Sequence, residues 1–370
     1  MQNLISRNIH IVKGKVAKWA HALLPEGTYE EEWGRYGFSG PITHLYHRNP
    51  PTGWTNIEGP LRPHALSPLK MPVGDGERKI FMDNPDVALG IQQVNTEGDH
   101  FVRNGDADEV LFVHVGTGLI HTQLGPLNYR KGDYLSLPRG TTYRFVPNSP
   151  TTLLTVEAFN GPFQQPDRGL IGQHALYDPA ILEYPEPYAD PLPVREWKVK
   201  IKRNGVFTTF TYPFNPCDVV GYKGDNLVYR LNIDDICPVN SHKMHLPPPA
   251  HTTFVGVGFV MCSFLPRPLE TMEGAVKVPF YHSNVDYDEV LFYHDGDFFS
   301  RSGIDAGMVT LHPGGFPHGP HPKAVRSSVT KTFTDESAVM LDTRRPLRLT
   351  PDAEEVERKD YWKSWMDTIG

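Results

Sequence analysis

Asp108-Glu109-Val110-Leu111-Phe112-Val113-His114 recurs as Asp288-Glu289-Val290-Leu291-Phe292-Tyr293-His294, with six of seven residues identical at an offset of 180. A glycine follows each glutamate by seven positions, Gly116 and Gly296. Each copy then carries a glycine, five residues and Pro-x-Gly: Gly132 to Pro138-Arg139-Gly140, and Gly307 to Pro313-Gly314-Gly315. Agreement at so many fixed offsets marks two copies of one structural unit. The β-branched and aromatic runs that open each copy, ended by turn glycines, read as strands. Leu135-Ser136-Leu137 and Val309-Thr310-Leu311 alternate as half-buried strands do.

Working outward, residues 1–160 are expected to form a first β domain with an N-terminal arm. Residues 161–205, rich in proline and acidic residues (EYPEPYADPLPVREW), read as a connecting segment, and 206–345 as the second β domain. Residues 346–370 carry a helix signature, with Thr350 as N-cap and Pro351 in the first turn; Ala353, Val356, Trp362 and Trp365 are expected to dock on the core. A short helix is also expected within residues 15–35. The fold class is therefore all-β dominated with a C-terminal helix. The composition agrees: 33 Gly and 35 Pro in 370 residues, together with 39% hydrophobic residues, describe short strands and tight turns rather than disorder.

The formal charge of −7 argues against a nucleic-acid partner, which needs a clustered basic face. The longest apolar stretch, Phe254 to Leu265, is too short for a membrane helix, and the N-terminus shows no signal-peptide pattern. Cys217, Cys237 and Cys262 form no CxxC pair and are expected to be buried thiols in a reducing, cytoplasmic setting.

The pattern of glutamate, glycine seven later, then G-x5-P-x-G and a histidine resembles the cupin superfamily, small jelly-roll barrels, so the chain reads as two such barrels in tandem. In that motif histidines and one glutamate converge on a divalent metal. The second copy supplies His282, Glu289 and His318, with Asn284 in place of a further histidine. The first copy has Val102, Asn104, Glu109 and Tyr143 at those positions, and a lone glutamate makes no site; that copy is expected to be metal-free. Two histidines and one carboxylate with open positions suit a non-haem Fe(II) oxygenase, while Zn or Mn fits the same ligand types. His294 has a twin at His114 and reads as structural, as does Asp288 with its twin Asp108. His312 and His321 stand near the ligand-bearing turn. His242, His245 and His251 cluster beside a proline run and could bring an imidazole to the pocket.

Nearly the whole chain resembles the homogentisate 1,2-dioxygenases, in a shorter form. The resemblance is carried by Gly34-Arg35-Tyr36-Gly37-Phe38-Ser39-Gly40-Pro41 followed by Leu45-Tyr46-His47, by the first repeat block, and by Arg168-Gly169-Leu170-Ile171-Gly172. Pro213-Phe214-Asn215, Asp218 to Gly224, and His318-Gly319-Pro320 extend it. It implies Fe(II) on His282, Glu289 and His318, and a pocket histidine that accepts the substrate proton, matched best by His245 and next by His251. It implies substrate contacts from His318, His312, Phe298 and His251. It also implies a small diphenol and O2 as reactants, conversion of homogentisate to maleylacetoacetate in aromatic amino-acid catabolism, and a homo-oligomer, trimer or hexamer. Asp295 and Phe298 stand where the longer form has an arginine and a tyrosine at the substrate. A sister dioxygenase for hydroquinone or gentisate is therefore the alternative reading, ahead of a Zn or Mn protein of other activity and a metal-free binding protein.

Overall fold

The computed structural model describes residues 10–189, 193–299, 301–320, 324–325 and 328–366, and within them the two repeats build two β-barrels. In the first barrel a seven-stranded sheet contains Asp133–Leu137, Asp108–Val115, Thr151–Ala158, Val87–Val94 and Arg78–Asp83 as neighbours. It faces a six-stranded sheet containing Phe101–Asn104, Thr142–Pro147, Gly118–Thr122 and Gly125–Tyr129. The second barrel is built on a six-stranded sheet in which Asp288–Asp295 lies between Val309–His312 and Ser337–Thr343, accompanied by a three-stranded sheet of Tyr29–Gly34, Ile42–His47 and Tyr281–Asn284.

The strand period of two decides which side chain goes where. Leu111 and Val113 turn into the core of the first barrel, whereas Val110 and Phe112 join Val290, Phe292, Leu311 and Leu341 in a core shared by both barrels. Leu291 and Tyr293 pack inside the second barrel. Glu109 and Glu289 have the inward parity of Leu111 and Leu291, so each glutamate is delivered to a barrel interior. The two large sheets are thus covered on both faces. Asp133–Leu137 is accordingly buried throughout, Ser136 included, rather than half-buried.

The repeated strands meet reciprocally. Phe112 lies 4.7 Å from His294, and His114 lies 5.0 Å from Phe292, ring centre to ring centre. Nδ1 of His114 and Nδ1 of His294 are 3.0 Å apart, which gives both histidines an architectural role. Asp108 and Asp288 likewise repeat one function, accepting the backbone N–H of Arg139 and of Gly314 in the two Pro-x-Gly turns. The twin turn glycines are required: Gly116 and Gly296 have φ of +107° and +97°. A Cβ would come within 2.4 Å of Thr151 Oγ1 at the first and 2.3 Å of Asp335 O at the second.

Sheet pairing redraws the expected boundaries. Trp197–Arg203, from the expected connecting segment, pairs with Phe101–Asn104, and Val206–Tyr212 pairs with it in turn. Tyr229–Asn232 pairs with Asp133–Leu137. All three strands belong to the first barrel. The barrels also exchange short strands: His64–Leu66 pairs with Val309–His312, and Arg348–Leu349 pairs with Arg78–Asp83. Exposed sheet edges need covering, and local composition does not tell which edge a strand will cover.

The expected C-terminal helix is cut short. It forms an α-helix over Pro351–Glu355 and a 3-10 turn over Tyr361–Trp365. Between them the backbone serves the exchanged strand instead: Ser67 donates to the Val356 carbonyl and Arg358 to that of Ala65. Glu357 is drawn to Arg62 and to His64, at 3.1 and 2.7 Å. Ala353, Tyr361 and Trp365 are buried, and Trp362 only partly. No helix forms over the described residues 15–35; a strand starts at Tyr29. Cys217 and Cys262 are buried, but Cys237 is exposed. None of the described helices is long and apolar enough to cross a membrane.

Candidate metal centre and its cavity

Tyr281–Asn284 brings His282 to the wall of the second barrel, where its backbone exchanges two 2.9 Å hydrogen bonds with that of His318. In the first barrel the corresponding residues, Val102 and Tyr143, are paired in the same way. The scaffold is common to both repeats and only the side chains differ. Nε2 of His282 and of His318 approach Glu289 Oε2 at 3.5 and 3.8 Å. The rings stand nearly edge to face, 4.2 Å between centres. One ligand atom from each of the three residues falls within a 4.8 Å set.

Both of those Nε2 atoms are buried without a hydrogen-bond partner. Leaving such atoms unpaired in the interior costs about 1–3 kcal/mol each, and a cation between them and the carboxylate removes the cost. The residues therefore fit a divalent metal. Burial would raise the Glu289 carboxyl, but the imidazoles of His282, His312 and His318 hold it well below the usual range. Burial, then His282, pushes His318 below its ordinary value. An anionic carboxylate and a neutral imidazole are the forms that bind metal.

The first barrel shows what takes a metal's place. Arg78 puts Nη1 2.6 Å from Glu109 Oε1 and 3.1 Å from Glu157 Oε1, and the Tyr143 hydroxyl donates to the same Glu109 oxygen at 3.3 Å. A guanidinium supplies the positive charge there. Arg78 and Glu157 lie outside the repeat motif and were not anticipated from sequence; a basic residue facing an orphan inward glutamate was the available signal.

A cavity opens on His282 and Glu289, walled by Phe280, Leu291, Phe299 and Pro279. His251 lines it, buried and with Nδ1 unpartnered. Burial, with Arg267 nearby, lowers its pKa to about 3, so the ring is a neutral acceptor. Arg301 and Arg267 also reach the cavity. Arg301 Nη2 lies 3.9 Å from Glu289 Oε1.

Several expected positions change. His245 is absent from the cavity lining: its ring stacks 3.7 Å from Phe280 and lies 3.8 Å from His21, with Nδ1 directed to the Val276 carbonyl. His312 makes no wall either; its Nδ1 donates to Glu289 Oε1 at 3.0 Å, so it holds the carboxylate. Phe298 packs on Tyr293 at 4.9 Å in the barrel core. Asp295 turns to the surface and pairs with Lys131 at 2.6 Å, so its carboxylate is not in the cavity, which Glu289 and Glu336 line. His318 stands beside Glu289 and His282 but is absent from the cavity lining, and His321 lies outside the described residues.

Residues 81–233 match the family described as homogentisate 1,2-dioxygenase N-terminal. A Saccharolobus solfataricus protein named "Putative dioxygenase" is 33% identical over 366 residues, 91% of this chain and 92% of that one. The homogentisate 1,2-dioxygenase of Rhizobium etli is 25% identical over 72% of this chain, which spans 62% of that relative's length. A solved cupin 2 conserved barrel domain protein from Leptotrichia buccalis overlays 76% of this chain and 96% of its own. Its TM-score is 0.34 and its sequence identity 9%.

Proposed function

Because this chain belongs to the homogentisate 1,2-dioxygenase-like family of cupins, we propose that it is an Fe(II)-dependent ring-cleaving dioxygenase whose substrate is homogentisate, opened to maleylacetoacetate. The observation that carries the proposal is the buried two-histidine, one-carboxylate set with unpaired Nε2 atoms, of which His282 and Glu289 line the adjoining cavity. His282, Glu289 and His318 would hold the iron. When bound it supplies Lewis acidity toward a phenol and one-electron chemistry toward O2.

The chain's own residues do the rest. Phe280, Leu291 and Pro279 exclude water and flank an aromatic ring. His251 takes the hydroxyl proton of the substrate at its free Nδ1, a role for which its place on the cavity wall recommends it over His245. Arg301 and Arg267 offer cationic groups to the acidic arm, in place of the arginine and tyrosine that Asp295 and Phe298 have displaced. His312 keeps Glu289 in position.

The deciding experiment is oxygen uptake by anaerobically Fe(II)-loaded protein offered homogentisate, gentisate and hydroquinone in parallel, with product absorbance followed. Uptake with homogentisate is the expected result. Uptake only with another diphenol retains the mechanism and moves the substrate; none with any of the three refutes the proposal.

A further inference from the structure

A second histidine-carboxylate cluster lies on the three-stranded sheet beside the candidate metal centre. Glu32 on Tyr29–Gly34 is directly opposite His44 on one neighbouring strand and in register with His282 on the other. Cross-strand partners share a sheet face, so His44, Glu32 and His282 form a row. His21 reaches over this face from a loop pinned by two backbone bonds, Val276 N–H to His21 O at 2.8 Å and Leu23 N–H to Gly274 O at 2.7 Å. His21 Nε2 lies 2.8 Å and His44 Nε2 3.5 Å from the same Glu32 oxygen. The three residues offer ligand atoms within one 4.8 Å set, and the His44 Nε2 atom is buried without a hydrogen-bond partner.

We propose that His21, Glu32 and His44 bind a second divalent transition-metal ion, such as Zn2+, which clamps the N-terminal arm to the strand beside His282. Two imidazoles and a carboxylate are an appropriate donor set for zinc. Behind His21 stands Glu30, whose Oε1 accepts the His21 backbone N–H at 2.9 Å and lies 2.7 Å from Nδ1. A carboxylate behind the far ring nitrogen is the arrangement that orients a metal-bound histidine. Without an ion, a proton does the same work between the two carboxylates. Burial opposes it, but Glu30 and Glu32 lift the His21 pKa to about 9. The clamp also bears on the neighbouring pocket, because His21 is the ring against which His245 packs.

The site is tested by titrating metal-free full-length protein with Zn2+ against a chromophoric chelator, in the wild type and in His44→Ala, Glu30→Gln and His282→Ala. The expected result is two equivalents in the wild type, and one in each of His44→Ala and His282→Ala. In Glu30→Gln, one of the two sites is weakened by about 10- to 100-fold. A single equivalent, lost in His282→Ala and kept in His44→Ala, overturns the second site and leaves the proposed function standing. A single equivalent with the opposite pattern keeps the second site and removes the first. His44 is partly exposed on its strand, so its truncation leaves the core intact; circular dichroism checks that each variant is folded.

Discussion

His312 is the most informative residue to perturb, because its proposed role separates from bulk packing. It is fully buried, and burial pulls its pKa down to about 3, so near neutral pH the ring is uncharged. With Glu289 ionised, the 3.0 Å contact is an Nδ1–H donating to a carboxylate. A hydrogen bond to a charged group is worth about 1.5–3 kcal/mol, and each 1.4 kcal/mol is about tenfold in binding. Loss of the donor should therefore weaken metal binding by roughly 10- to 150-fold, in the range typical of residues that orient metal ligands. His312→Ala would also open a cavity, at about 2–5 kcal/mol of stability if it behaves like other large-to-small core changes. The sharper pair is His312→Asn, which keeps a donor where Nδ1 was, and His312→Gln, which places its amide toward the Nε2 position. Metal affinity is measured by chelator competition, with urea unfolding alongside. We expect Asn to restore most of the affinity and Gln to lose it. Equal affinity in wild type and His312→Gln, with both folded, would refute the positioning role.

Other predictions address the frame and the surface. Arg78→Met leaves Glu109 buried without its counter-ion, while Glu157 keeps Lys202 at 2.8 Å, and should cost about 3–5 kcal/mol of stability in urea unfolding while metal content stays unchanged. Gly296→Ala forces a side chain into a positive φ and against Asp335 O; a destabilisation of at least ~1–3 kcal/mol is expected, and an unchanged urea midpoint would count against this turn geometry. Lys131→Ala removes an exposed ion pair with Asp295, so stability should shift by about 0–1 kcal/mol and turnover not at all; altered substrate preference would put Asp295 back in the pocket. Burial lowers His114 and His294 to about 4 and 3. The unfolded chain therefore binds more protons below pH ~6.5, so their contribution is present above that pH and lost as pH falls toward 4. The double variant His114→Leu/His294→Leu should flatten the fall in urea midpoint between pH 7 and 5, and an identical slope would refute that assignment.

Much of this molecule was legible in its order of residues. The 180-residue offset identified two like units, and strand parity alone turned Glu109 and Glu289 inward, because successive side chains on a strand must alternate. Comparing the copies selected His282 and His318, where the first repeat has Val102 and Tyr143 instead, and set them beside Glu289, whose twin Glu109 both repeats keep. That His114 and His294 are structural followed from their being twins; that the two rings meet was decided by the packing of the two sheets back to back. What the residues could not announce was partnership at long range. Arg78 reaches Glu109 only because their strands flank one barrel interior. His64–Leu66 and Arg348–Leu349 exchange barrels because an edge accepts any strand of suitable length. Asp295 faced outward and Phe298 inward through the local course of the turn after Gly296. His251 rather than His245 reached the cavity by the path of the proline-rich segment between them. Sequence determined the side-chain types of the candidate metal centre and the side of the strand they occupy, which are local properties. Which groups stand close around them was decided by tertiary packing, which brings together residues as distant in the chain as Glu32 and His282.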